Sequence, residues 1–455
     1  MKILILHYDK FFDEIIQILN SKNKYKFIDF KNKFIEPSDV DRQKKTFLKK
    51  NFIFKKNNIW KYSSLFYKKY FVNFLDIYNE HYKVNDFVSK KWGSNNDYYM
   101  NKNFFMYLVN LIHNFVSSNK FNLVIFVRYP HTGIDYILYK YCEFNKIKKI
   151  FFHQSHIPNK FLASNNLENY GNFKLKKNLK LNSKYKSLFK YKRPVWLKKN
   201  HFFNEKIKRL KSYKLNYFFL RSIAEIKNFF SIEYFLKNLI VIKKNLAFNL
   251  EGKKFNKFPI NHKKFCLFLL HFQPEGTSSF FGNLYIDQIL AIEKILKKLP
   301  KEYFLIVKEH PKQHFLTRDK YFFKRLKMHR QIVYLKDDTI STKELIKKSK
   351  FVSTITGTGA WEALTLRKPV LLFGKTWFSK CAGVFNYSDN LNLKQIINFK
   401  FSEKKMNDFI KLFFSNAYDG VVAPEWDELV ENFSKKKNSE IVVNSILKLI
   451  KNVKL

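Results

Sequence analysis

Apolar positions fall along the chain in two alternating series, separated by a stretch of different period. The first series opens with the apolar run Lys2–His7 and a helical repeat over Phe11–Leu19. Further on, "NLVIFVRYPHTGIDYILYKYCEFNKIKKIFFHQSH" predicts a strand at Leu123–Val127, a helix at Ile134–Phe144 and a strand at Lys149–His153. Strand, helix and strand at this spacing pair in parallel, so this part of the chain predicts a Rossmann-like layer. Residues 165–255 change character. They are rich in Lys, Asn and aromatics and predict long basic amphipathic helices. Such helices either pack as a layer on the first domain or present a face to a membrane or an acceptor.

A linker with Gly252 and Pro259 leads into the second series. "KFCLFLLHF" (Lys264–Phe272) predicts a buried strand and "QPEGTSSFFG" a loop. Tyr285, Ile289, Ile292, Leu296 and Leu299 then mark one face of a helix. "YFLIVKEHP" and "QIVYL" predict strands, and Thr342 is placed to cap a helix holding Glu344–Lys348. "KFVSTI" is a strand, "TGTG" a turn, "AWEALTL" a helix and "PVLLFG" a strand. Val443, Ile446, Ile450 and Val453 close the chain on an amphipathic helix. The fold expected is α/β, with two Rossmann-like domains facing a cleft, the GT-B type, and a helical basic segment in the middle. Its divisions are 1–255, 256–430 and the closing helix in 431–455, with the helical segment at about 165–255. In such sheets ligands bind beyond the carboxyl ends of the strands.

Composition sharpens this picture. Apolar residues at 46% supply real cores and exclude a disordered chain. A net charge of +49 would suit nucleic acid. However, the lysines are spread along the whole chain. Lys, Asn, Phe, Ile and Tyr also rise together, as AT-rich coding makes them do, so nucleic acid is not the expected partner. The charge instead favours nucleotide sugars or an anionic inner leaflet. Cys142, Cys266 and Cys381 lie far apart without metal or disulfide spacing, which fits a reducing cytoplasm. "MKILILHYDKFFDEI" reads as a first strand, not a signal peptide, and no stretch approaches the ~18 apolar residues of a membrane span. The expectation is a cytoplasmic protein that meets a membrane only at its inner surface, without a metal site.

Glycine is scarce, 11 residues in 455, yet three occur in "TITGTGAWEALTLRKPVLLFG". A strand ending at Ile355 and turning through Thr356, Gly357, Thr358 and Gly359 into a helix places unpaired N–H groups and a positive dipole end where an anion is favoured. Glu362, about one turn on, would repel phosphate but accept both hydroxyls of a ribose. The duller reading is a tight turn followed by a surface glutamate. "KEHP" places Lys308 and His310 at the end of another strand of that sheet, where both can donate to a diphosphate. In "HFQPEGTSS", Glu275 can orient a sugar hydroxyl or act as a base, or be merely a polar loop residue. In the first half Arg128, His131, Asp135, His153 and His156 lie near strand exits, where a histidine or carboxylate would serve an acceptor hydroxyl as general base. Asp135 equally suits a helix N-terminus.

"HFQPEGTSSFFGNLYIDQ", "VKEHPKQ" and "TGTGAWEALTLRKPVLLFGKTWF" resemble the bacterial capsule polysaccharide biosynthesis family, which includes retaining Kdo transferases of GT-B fold. "RYPHTGIDYILY" and "FFHQSHIP" extend the resemblance into the first half. The same logic appears more loosely in UDP-N-acetylglucosamine 2-epimerases and CMP-sialic acid transferases. Arg367 stands where a glycine is more usual in the family. The resemblance implies a glycosyltransferase with a CMP- or UDP-linked sugar as donor, no further cofactor, and a growing or lipid-linked surface glycan as acceptor. His310 would contact the donor phosphate, Thr356–Gly359 would cradle it and Glu362 would hold the ribose. The alternatives are a sugar-nucleotide epimerase and a non-catalytic protein that binds nucleic acid or membrane.

Overall fold

Leucine, isoleucine, valine and phenylalanine at consecutive positions make strands buried on both faces, and such strands build parallel sheets covered by helices. The computed structural model describes residues 1–7, 11–22, 25–30, 109, 112–130, 133–167, 170–174, 243, 246–252, 255, 264–273, 276–311, 313, 318–336 and 340–452. Two six-stranded sheets result. The first contains β1 (Lys2–Leu6), β2 (Lys26–Asp29), β3 (Leu123–Phe126), β4 (Lys148–Gln154) and β5 (Lys160–Ser164). The second contains β6 (Phe265–Leu269), β7 (Phe304–Lys308), β8 (Ile332–Leu335), β9 (Val352–Thr354), β10 (Val370–Leu372) and β11 (Val384–Asn386). A short last strand, β12 (Tyr418–Asp419), returns to the edge of the first sheet.

The second sheet is parallel throughout, in the order β11-β10-β9-β6-β7-β8. The chain starts in the middle, winds one way to β8 and then the other way from β9. This is the doubly wound order, and its crevice opens beyond the carboxyl ends of β6 and β9. The first sheet has the order β12-β5-β4-β3-β1-β2, with β2, β1, β3 and β4 parallel and β5 and β12 antiparallel at one edge. The expectation of two parallel-sheet domains therefore holds.

Helices α1 (Phe11–Lys22) and α2 (Gly133–Phe144) flank the first sheet. In the second half α3 (Gly276–Phe281), α4 (Gln288–Leu296), α5 (Lys320–Lys327), α6 (Thr342–Lys348), α7 (Thr358–Thr365), α8 (Leu393–Ile397) and α9 (Glu403–Asn416) follow. The closing helix α10 (Lys435–Asn452) packs on α1, with Val442, Val443 and Ile446 sharing a core with Phe12, Ile15 and Leu19. The last segment thus ties the end of the chain to the first sheet from Tyr418 onward, ahead of the division drawn at 430.

Three local expectations change. "QPEGTSSFFG" contains a helix, α3, because Phe280 and Phe281 pack with the first-sheet core, against Tyr136, Tyr139 and Tyr129. The helix drawn from Tyr285 begins as a 3₁₀ turn at Asn283–Ile286; α4 starts only after Asp287, whose side chain caps Ile289 N–H. Ser341, not Thr342, caps α6, accepting from the Glu344 N–H at 3.1 Å. Most of the basic helical segment at 165–255, together with Pro259 and Val453, lies outside the described residues.

Candidate active-site cleft

The carboxyl ends of both sheets face one cleft of about 600 Å³, within the size range of small-molecule sites. On the second-sheet side its walls include Lys308, His310, Thr356, Gly357, Thr358, Gly359 and Glu362. On the first-sheet side they include Arg128, His153 and His156. Asp135 is not a wall residue. It is buried in the first turn of α2, the helix-terminal placement. His131 and Glu275 lie outside the described residues.

The turn after β9 crosses the crevice of the second sheet. The Thr356 N–H donates to His271 Nε2, at the exit of β6, at 2.9 Å. That donor is therefore spent on holding the turn, and His271 is a positioning residue. Gly357 is the N-cap of α7, at φ −68°, and no side chain caps the helix. The first N–H groups of the helix are left to point outward, as a helix start leaves them. Neither glycine is needed for positive φ here. A Cβ on Gly359 would lie 2.3 Å from Leu269 Cδ1, and one on Gly357 3.0 Å from Thr354 Oγ1. These glycines let the helix start settle onto β6 and β9. Glu362 is buried on the next turn and reaches the cleft wall. The helix ends in a Schellman pattern, with Lys368 N–H on Ala363 O (2.9 Å) and Arg367 N–H on Leu364 O (3.0 Å). Arg367 takes the left-handed position at φ +56°, where glycine carries no penalty.

Lys308 ends β7 and is buried; His310 follows, half-buried, beside Phe272. Between them Glu309 turns into the protein. Arg318 bonds it through Nε at 2.8 Å, Tyr334 donates to it at 2.9 Å, and it accepts the His310 N–H at 2.8 Å. Arg318 also reaches Gln273 Oε1 (3.2 Å) and His271 O (3.2 Å), and lies over the Phe322 ring. The Gln313 side chain clasps the Gln273 backbone, accepting from its N–H at 2.8 Å and donating to its carbonyl at 3.0 Å. This network sets the two exit loops of β6 and β7 relative to one another. Burial, then the neighbouring Glu309 carboxylate, pushes the Tyr334 phenol far above its ordinary value, so it stays a donor.

Aromatic rings from both halves surround the first-sheet histidines. His156 is buried, with ring centroids of Trp426, Trp377 and Phe378 at 5.1, 5.8 and 6.0 Å. Trp377 Nε1 donates to His156 Nδ1 at 3.0 Å. His153 stacks on Tyr129 and hydrogen-bonds the Tyr170 hydroxyl. Burial pushes both imidazoles down to about 3, and repulsion from His156 adds to the effect at His153. Arg128 pairs with Glu425 at 2.8 Å, on the segment that returns to this sheet.

Glu309, Arg318, His271, Tyr170, Trp377, Trp426 and Glu425 all escaped the sequence reading. One signal was available for the tryptophans. The chain holds 6 Trp against 52 Phe, so a tryptophan is the aromatic that composition explains least, and two of the six line this cleft. Among the described residues one trio of possible metal ligands exists, His7, Asp13 and Asp29, with His7 Nε2 2.8 Å from Asp29 Oδ1. It lies outside the cleft walls.

A model of the family described as capsule polysaccharide biosynthesis protein matches residues 180–417, more than half of the chain. No curated protein matches the chain. Among solved structures, the beta Kdo 2,7 transferase of Thermosulfurimonas dismutans KpsC is 12% identical, with a TM-score of 0.33 over 74% of this chain and 89% of that one. The beta Kdo 2,4 transferase of the same protein is 9% identical at a TM-score of 0.31, over 67% and 83%. A UDP-GlcNAc 2-epimerase of Methanocaldococcus jannaschii, in complex with UDP-GlcNAc and UDP, is 13% identical at 0.28, over 99% and 100%. Likeness at this level does not carry a substrate across.

Proposed function

The chain belongs to the capsule polysaccharide biosynthesis family, and from that premise we propose that it is a glycosyltransferase. It moves a sugar from a CMP- or UDP-linked donor, held by the second sheet, to a growing or lipid-linked bacterial surface glycan at the first sheet. The observation that carries this reading is the convergence on one cleft of the α7 start, the buried Glu362, Lys308 and His310, opposite a wall of aromatic rings. The helix start and Lys308 suit a diphosphate, Glu362 suits a ribose, and aromatic faces suit the apolar faces of sugars. Catalysis then rests on positioning and on neutralising the leaving phosphate with His310, Lys308 and the helix dipole, without a metal. No helix among the described residues is long and apolar enough to cross a membrane. A lipid-linked acceptor is then met at the inner face of the membrane, where the net charge of +49 favours anionic lipid.

Thermal shift with CMP, UDP, GDP and their sugar conjugates tests the donor site, because a ligand of the native state alone raises Tm. One nucleotide class shifts the wild type, and Glu362→Ala abolishes the shift. If no nucleotide acts at millimolar concentration, while single-stranded nucleic acid does, the reading is wrong.

A further inference from the structure

We propose that His153 and His156 act as a pair of neutral hydrogen-bond donors that grip a hydroxyl or ring oxygen of the glycan, and that neither is the base that removes its proton. The inference rests on the acceptor side of the reading above but not on the identity of the nucleotide.

The geometry sets each tautomer. An indole nitrogen can only donate. Because Trp377 Nε1 donates to His156 Nδ1, that nitrogen carries the lone pair and the ring proton sits on Nε2. Nε2 is buried with no partner among the described residues. At His153 the bonded nitrogen is Nε2, facing the Tyr170 hydroxyl. Burial keeps the phenol protonated, and His153 Nε2 is its hydrogen-bond partner among the described residues. Its one proton is therefore left for His153 Nε2. The ring proton of His153 then sits on Nδ1, which is likewise buried without a partner. Trp377 thus fixes His156 through its indole, and Tyr170 fixes His153 through its hydroxyl.

The close approach behind this arrangement is built into the chain. Gly171 adopts φ +82°, and a Cβ there would lie 2.3 Å from the Thr376 carbonyl oxygen. Only glycine brings Tyr170 this near to Trp377.

A buried donor without an acceptor is costly, and native structures rarely keep one without a use. Two of them on the wall of one cleft call for an oxygen-bearing ligand. The surroundings favour an uncharged one. Trp426, Trp377 and Phe378 ring His156, and Arg128, the cation on this wall, is paired with Glu425. A carboxylate would lose its hydration among these rings. A sugar gives up less, since its hydroxyls meet the N–H donors and its C–H face meets the rings.

The test uses the full chain with its 12 histidines labelled with ¹⁵N and assigned by single substitution. Imidazole NMR on the ligand-free protein is expected to show His156 protonated at Nε2 and His153 at Nδ1, with no titration of either between pH 5 and 8. Methyl β-D-glucopyranoside is then expected to shift both N–H signals saturably, and sodium acetate to leave them in place. His156→Gln and His153→Asn, which each present an N–H at the corresponding position, retain the saturable glycoside binding that His156→Ala and His153→Ala lose. A bare Nδ1 on His153, a titration near neutrality, or a response to acetate alone overturns the proposal. These signals are read without any nucleotide, so a failed nucleotide shift and a failed tautomer assignment are separate results.

Discussion

Two polar clusters stand at strand exits on opposite walls of the cleft, and they are finished differently. Under the second sheet, Glu309, Arg318, Tyr334 and Gln273 are closed upon one another. Under the first, His153 and His156 each spend one nitrogen on the protein and keep the other unmatched. A closed network rigidifies the loops that carry Lys308 and His310. An open pair is a recognition surface whose last partner comes from outside. Buried polarity alone therefore does not mark a binding group; in this cleft the pair left incomplete does.

The largest expected effect breaks the closed cluster. Arg318→Met leaves Glu309 buried and unpaired, and urea unfolding should show a loss of about 3–5 kcal/mol. Replacing both, Glu309→Leu with Arg318→Met, should recover much of that loss, because no lone charge remains. Next comes Glu362→Ala, which removes a charged hydrogen-bond acceptor from the proposed ribose site. Calorimetric titration with the nucleotide that shifts Tm should show affinity falling about tenfold to a hundredfold, equivalent to ~1.5–3 kcal/mol. Gly171→Ala forces a side chain into a left-handed backbone position and against the Thr376 carbonyl, at a cost of about 1–3 kcal/mol. It should also disturb the His153 imidazole signals, which Arg318→Met should not.

Acid should act through the open pair. Both histidines are held down to about 3 in the fold, against an ordinary value near ~6.5. The unfolded chain then binds more protons below ~6.5, so their stabilising contribution is complete above that pH and is lost as pH falls toward 3. Tm should decline across that window, and less steeply in the His153→Asn, His156→Gln double variant. The smallest effect is at Arg367→Gly. It relieves the left-handed position at φ +56° but gives up the exposed pair with Glu403 at 2.8 Å. The net change should stay within about 1 kcal/mol by denaturant midpoint.

Why one wall was legible and the other was not follows from where the information sits. β6, the turn at Thr356–Gly359 and Glu362 lie in short, regular strand–turn–helix units, whose apolar runs and glycines are local signals. The parallel order of the second sheet follows from the same units. Arg318 lies nine residues beyond Glu309 in a stretch without period, and only the fold closes that distance to 2.8 Å. His156 and Trp377 are 221 residues apart. A tautomer set by such a contact has no local trace. The glycines of the turn were visible, but their reason was not: close packing on Leu269, rather than positive φ, is a property of the assembled sheet. Phe280 and Phe281 read as part of a loop, because their burial depends on a core contributed by the other domain.

The central claim is that the two walls form one site, with a sugar donor on one and a glycan acceptor on the other. The most direct measurement is the release of free nucleotide from a panel of CMP- and UDP-sugars, followed by ³¹P NMR with and without an oligosaccharide of the host capsule. The account predicts that one donor is consumed, that free nucleotide accumulates only when the oligosaccharide is present, and that the oligosaccharide gains one sugar. Conversion of the nucleotide sugar into its epimer without any acceptor, or no consumption of any donor under conditions where the nucleotide binds, would contradict it.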